Sequence, residues 1–216
     1  VVMKCDKVLY FFEKINEIPR GSGNEKAISD YLVKFAKERG LWVHQDKANN
    51  VIIKKKASKG YENHSAVVIQ GHMDMVCEKD LDVIHNFEKD PIKVIYEGDY
   101  IHADGTTLGA DDGIAVAMAM ALLDDEKAVH PPLEVVITTD EEVGMLGAAN
   151  LDATIIEGRR LLNIDSEEEG IFTVGCAGGV KTESEIPVEF VKPCYDKFAR
   201  IVVTNLEGGH SGIDIS

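Results

Sequence analysis

Acidic and imidazole side chains at four separate points along the chain have the types and spacing that metal chemistry needs. Asp111 and Asp112 stand together in Leu108-Gly109-Ala110-Asp111-Asp112-Gly113, between a polar turn and an apolar stretch from Ile114 to Leu123. A helix N-terminus welcomes a negative charge, so a lone aspartate there would read as a cap. Two adjacent carboxylates flanked by glycines are poorly explained that way once their company is counted. His72 and Asp74 follow the apolar run 66–70, Asp140, Glu141 and Glu142 close the run 133–139, and Asp165 ends 161–164. Carboxylates and an imidazole delivered from several strand ends to one place are the usual protein recipe for a divalent metal site.

Spacing divides part of the labour. Residues two apart point the same way on an extended chain. Asp74 can therefore lie on the side of His72 and accept the proton of the ring nitrogen turned away from a metal. Of two adjacent glutamates, one can ligate a cation while the other stays free as a general base. Gly144 and Gly147, just beyond the triplet, mark places where backbone passes closely. Glu167-Glu168-Glu169 reads as a solvated run. One imidazole among oxygen donors suits zinc, manganese or cobalt about equally. His210, in Glu207-Gly208-Gly209-His210-Ser211-Gly212, makes no relay with adjacent Ser211, and no G-x-S-x-G elbow is present. The glycine-rich stretches 21–23 and 175–179 match neither dinucleotide nor P-loop spacing. His44, His64, His85, His102 and His130 fall in polar or turn segments and read as surface residues.

The elements that must hold these groups follow from periodicity. Val8, Phe12 and Ile15 recur at helical spacing, predicting a helix over 4–17 closed by Pro19. A second helix carries Ala27, Ile28, Tyr31, Leu32, Phe35 and Ala36 on one face, with Ser22 or Asn24 as its cap and Gly40 as its stop. Strands are expected at 41–44 and 51–53 around Asn49-Asn50, and a hairpin at 92–96 and 100–102. The runs 66–70, 133–139 and 161–164 suit strands buried on both faces, separated by helices at 113–124 and near 145–151. The fold class is therefore α/β, a mostly parallel sheet flanked by helices, with ligands gathered beyond the carboxyl ends of the strands. Extended segments at 180–191 and 198–206 predict the start of a smaller α/β unit.

Bulk properties narrow the partners. A length of 216 residues with 44% hydrophobic and 28% charged residues is ordinary for a globular protein with a real core. A net charge of −15 argues against a nucleic-acid surface. No stretch is apolar enough for a membrane span, and the N-terminus lacks a signal-peptide pattern. The four cysteines show no C-x-x-C pair, so reduced thiols in a cytoplasmic protein are expected, with Cys77 and Cys176 as small apolar residues. Nothing closes the chain at Ser216, and an N-terminal fragment is the expectation.

These motifs, taken in order, resemble one family. Gly71-His72-Met73-Asp74, the segment 105–113, Asp140-Glu141-Glu142-Val143-Gly144-Met145, the segment 163–170, Gly175-Cys176-Ala177-Gly178-Gly179 and Gly208-Gly209-His210-Ser211-Gly212 are similar to the aminoacyl-histidine dipeptidases. Those belong to the co-catalytic zinc peptidases that include tripeptidase T and the glutamate carboxypeptidases. The resemblance implies that His72 and Asp165 hold one metal, Glu142 the second, and Asp111 bridges both. It makes Glu141 the general base, Asp74 the partner of His72, and His210 a lid-domain histidine that stabilises the oxyanion by domain closure or from a partner subunit. Asp112 replaces an Asn or Lys often found there. The implied cofactor is a pair of divalent ions, zinc first, with manganese or cobalt possible.

On the same resemblance, residues 1–180 form the N-terminal part of the catalytic domain and 181–216 begin a lid or dimerisation domain. The expected substrate is a small peptide, with no nucleic acid or membrane partner and a homodimer through the lid. Family members continue further and supply a last histidine ligand, so this stretch is expected to build one metal position fully and to be inactive alone. The competing readings are a tripeptidase or N-acyl amino acid amidohydrolase on the same scaffold, and a non-catalytic domain that binds metal or protein.

Overall fold

Three parallel strands that end side by side organise the molecule. The computed structural model describes residues 5–166, 170–175, 182–192, 194, 196–197 and 199–203. The chain divides into two units, Val1–Glu167 and Glu168–Ser216. In the first, helices α1 (Cys5–Asn16) and α2 (Lys26–Glu38) precede the hairpin β1 (Trp42–Gln45) and β2 (Val51–Lys55). Then come β3 (Val67–His72), a separate hairpin of β4 (Val94–Glu97) and β5 (Tyr100–Ala103), and helix α3 (Ala110–Asp124). Strand β6 (Leu133–Thr138), the short helix α4 (Leu146–Asn150), a 3-10 turn at Ala153–Ile155 and β7 (Arg160–Asn163) complete it.

The main sheet runs β1-β2-β6-β3-β7 and is mixed. β3 pairs in parallel with both β6 and β7, whereas the β1–β2 hairpin adds antiparallel to β6. A tight turn can only reverse the chain, so the hairpin half is antiparallel. The crossovers through helices make the other half parallel.

Alternation divides the sheet between two apolar layers. Val51, Ile53, Ile69, Val135 and Ile137 join the larger core with the buried faces of α1, α2 and α3. Ile52, Val68 and Val136 face the other way, against Leu151, Ile155 and Ile156. Helix α3 is apolar all round because it lies between α1 and β3. Its alanines, Ala115, Ala117, Ala119 and Ala121, allow that close fit.

Several local expectations change. Helix α2 starts one residue after Glu25, which makes no side-chain cap hydrogen bond, and neither Ser22 nor Asn24 is the cap residue. Gly40, at φ +65°, does close the helix. Strand β7 is exposed at all four residues rather than buried, because it is the sheet edge among the described residues. Cys77 is exposed in the loop after β3, not part of the core. His130 is buried, its backbone N–H donating to Ser58 Oγ at 3.0 Å. In the second unit no helix or strand forms among the described residues. Extension alone does not make a strand; a pairing partner must be within reach.

Candidate metal centre

Register brings the chemistry together. His72 at the end of β3 is level with Thr138 at the end of β6, and Gln70 is level with Asn163 on β7. The chain beyond β6 therefore delivers Asp140, Glu141 and Glu142 to the same sheet end. Ile164 N–H donates to Gln70 O at 3.1 Å, which carries Asp165 to that end as well. Asp111 arrives from the entrance of α3, where residues 111 and 112 depart from helical geometry and are joined by a cis peptide bond.

The imidazole of His72, 1% exposed, is the hub. Its Nε2 lies 3.0 Å from Asp111 Oδ1 and 3.9 Å from Asp165 Oδ2. Nδ1 faces the Asp74 backbone oxygen at 3.2 Å and Asp74 Oδ1 at 3.3 Å. Burial opposes a charge on this ring, but Asp111 and Asp74 outweigh it and raise its pKa to about 11. An imidazole surrounded so completely by carboxylates is a place where a cation is wanted.

Asp74 is fully buried and holds more than the histidine. It accepts the Ser22 hydroxyl at 2.8 Å and the N–H groups of Glu141 and Glu142 at 3.1 and 3.3 Å. Burial works against its charge, yet the hydrogen bonds from His72, the Glu141 amide and Ser22 keep its pKa below the ordinary value. Glu141 and Glu142 move the other way. Burial pushes both up, and nearby carboxylates, Asp165 at Glu141 and Asp111 at Glu142, add to it.

Two donor sets emerge, each with one ligand atom per residue and all atoms within 4.8 Å of one another. One is His72, Asp111 and Asp165; the other is His72, Glu141 and Glu142. Imidazole nitrogen plus carboxylate oxygens is a donor chemistry suited to zinc and its borderline neighbours. The residues fit a divalent ion. Asp74, Glu141, Glu142, Asp111 and Asp165 thus lie around His72, whereas His210 falls outside the described residues.

Pattern reading missed Arg20 and the role of Asp112. Arg20 is 2% exposed and donates to the Met73, Asp74 and Gly109 carbonyls and to Asn16 Oδ1. One guanidinium thereby ties the exit of β3 to the entrance of α3. Burial lowers its pKa to about 10, and Asp74 contributes the largest share of the compensating charge. In Pro19-Arg20-Gly21 nothing distinguishes it from a solvated turn residue. Asp112, equally buried, accepts the His72 N–H at 3.1 Å instead of adding charge to solvent. Gly71 makes room for it, since a Cβ there would meet Asp112 Oδ2 at 2.5 Å.

Comparison with known proteins places the chain among peptidases. Residues 68–202 match the profile of Peptidase family M20/M25/M40. The chain is 45% identical over 206 residues to the cytosol non-specific dipeptidase of Escherichia coli K12, covering 94% of this chain and 42% of that protein. The aminoacylhistidine dipeptidase of Vibrio alginolyticus superposes with a TM-score of 0.74 at 46% identity, over 76% of this chain and 34% of that one. A Staphylococcus aureus tripeptidase superposes with a TM-score of 0.64 at 25% identity, over 76% and 44% respectively. The chain thus spans less than half the length of these relatives.

Proposed function

The chain belongs to peptidase family M20/M25/M40, and from that membership we propose a metal-dependent dipeptidase that prefers small Xaa-His substrates. The observation that carries this reading is the convergence of His72, Asp111, Asp165, Glu141 and Glu142 on one buried imidazole. His72 and Asp165 would hold one ion, Glu142 the second, and Asp111 both. A pair of divalent ions, zinc first with manganese or cobalt as alternatives, would polarise the scissile carbonyl and bring a water's pKa toward ~7.

The remaining work falls to the chain. Glu141 takes a proton from the attacking water at a carboxylate oxygen and passes it to the leaving amine. Asp74 orients the His72 ring from the side remote from the other carboxylates. His210 is assigned the oxyanion. The proposed domain division is 1–180 for the catalytic part and 181–216 for the start of a lid through which two copies pair. The cytoplasm is the proposed compartment, in keeping with the name of the E. coli relative. No helix among the described residues is long and apolar enough to cross a membrane.

The test uses the full-length protein, stripped with chelator and reloaded with zinc. Turnover of Xaa-His dipeptides should vanish and return, at higher kcat/KM than tripeptides or N-acyl amino acids. Glu141→Gln should lose about 10²–10⁴ in kcat while still binding metal. Near-normal turnover by that variant would remove Glu141 from its role. Absence of stoichiometric metal would remove the enzyme reading altogether.

A further inference from the structure

The turn that carries Glu141 and Glu142 has no secondary structure of its own to take up its amides. β6 ends at Thr138 and α4 begins only at Leu146. Yet four consecutive N–H groups find side-chain oxygens. Thr139 donates to Asn50 Oδ1 at 3.1 Å, Asp140 to Glu25 Oε1 at 3.1 Å, and Glu141 and Glu142 to the two oxygens of Asp74. Three residues from distant parts of the chain therefore set the path of this turn.

Asp140 is the pivot. Its φ is +53°, in the left-handed region that a non-glycine residue rarely adopts. It is gripped at both ends, since its own carboxylate accepts the Gly23 N–H at 3.0 Å while its N–H is taken by Glu25. Such a conformation persists only where the surroundings over-determine it. Here it decides the direction in which the next side chain, Glu141, leaves the backbone.

The plain role for Glu25 would be to cap α2, whose N-cap position it occupies. It makes no side-chain cap hydrogen bond. Its carboxylate, on a residue 5% exposed, meets amides of its own turn at Gly23 and Glu25 and also reaches the Asp140 N–H, 115 residues away. Burying a carboxylate is costly unless its oxygens are hydrogen-bonded, and here the Asp140 N–H supplies such a bond. Ser22, three residues earlier, likewise spends its hydroxyl on Asp74 Oδ2.

We propose that residues 22–25 are a brace for the acidic turn and that Glu25 is a positioning residue for the general base Glu141. This rests on the peptidase reading above. Glu25 belongs to neither donor set and acts through the Asp140 backbone.

The test compares Glu25→Ala and Glu25→Gln in the full-length protein. Three readouts are taken: amide hydrogen exchange at 139–142, the visible spectrum after loading with cobalt chloride, and kcat and KM on an Xaa-His dipeptide. Glu25→Ala should speed exchange of the Asp140 amide at least ~10-fold, since its acceptor is gone. It should change the cobalt spectrum and lower kcat about 10–100-fold, as an ångström-scale misplacement does. KM should stay within about threefold, because substrate binding is not the property altered. Glu25→Gln keeps an acceptor oxygen and should restore all three. Unchanged exchange and kcat in Glu25→Ala overturns the proposal, and so does a Glu25→Gln variant as impaired as Glu25→Ala. If Glu25→Ala does not fold, Glu25→Asp, which draws the oxygen back by one methylene, bears the same expectations. A wild-type protein without peptidase activity refutes the functional reading, whereas exchange at Asp140 still decides the brace.

Discussion

Asp74 Oδ1 stands 3.3 Å from His72 Nδ1 and 3.1 Å from the Glu141 backbone nitrogen. One buried carboxylate thus orients the central imidazole and anchors the turn that carries Glu141 and Glu142. The two halves of the proposed chemistry are mechanically joined through a residue that belongs to neither donor set.

Asp74→Ala should accordingly damage two properties at once. Metal affinity should fall about 10–100-fold, the usual cost of removing a ligand's orienting partner. Stability should fall by roughly 3–5 kcal/mol, because a buried charge network loses its central acceptor. Zinc titration and denaturant unfolding measure the two effects separately. A variant that loses neither would make the Asp74 contacts incidental.

Arg20 makes a sharper claim about architecture. Arg20→Met removes the donor shared by the Met73, Asp74 and Gly109 carbonyls and should cost about 3–5 kcal/mol, as several buried acceptors go unpaired at ~1–3 kcal/mol each. Arg20→Lys should recover only part of that loss, since an ammonium cannot reproduce the planar fork that spans two segments. The midpoint of guanidinium unfolding reads both.

Gly147 is a test of packing behind the acidic turn. A Cβ at this position would come within 2.5 Å of Thr139 Oγ1 and 2.6 Å of Asn50 Oδ1, and would also press on the Thr139 carbonyl. Gly147→Ala should therefore destabilise by about 1–3 kcal/mol, although alanine is ordinarily the better helix former. A neutral or raised melting temperature would show that the turn yields easily.

Asp112 predicts a pH dependence in the metal-free protein. Burial raises its pKa to about 7, with Asp165 and Asp111 adding to the rise and His72 opposing it. Between the ordinary value of 3.8 and about 7, the folded state keeps a proton that the unfolded state has released. Stability from this group is therefore full below pH 3.8 and lost as pH climbs through that window. Asp112→Asn cannot ionise and keeps an oxygen for the His72 amide. It should match wild type near pH 4 and exceed it at pH 8 by roughly 2–4 kcal/mol in chelator-containing unfolding experiments. Glu141 and Glu142 shift in the same direction, so the readout is the difference between variant and wild type, which reports Asp112 together with its coupling to His72, Asp111 and Asp165.

What could be read in advance was governed by local periodicity. Val8, Phe12 and Ile15 predict α1, and the apolar runs before His72 and Asp140 predict β3 and β6, because burying a stripe or a continuous run leaves its period in the residue types. The acids at strand exits were visible for the same reason: a polar cluster closing an apolar run interrupts a strong pattern. His130 and Cys77 were misjudged because their burial depends on which distant segment lies over them.

The sequence alone thus determined the strands and helices of the first unit and the identity of the acidic and imidazole groups at their ends, since each depends on neighbours a few residues away. Only the tertiary structure decided that β7 is an edge, that Ser22 and Glu25 hydrogen-bond to Asp74 and Asp140 rather than cap a helix, and that Arg20 is buried between the exit of β3 and the entrance of α3. Those outcomes depend on hydrogen bonds spanning 50 or more residues, such as Ser22 to Asp74 and Glu25 to Asp140. A polar side chain that finds its partner across the fold leaves no period for a linear reading to detect.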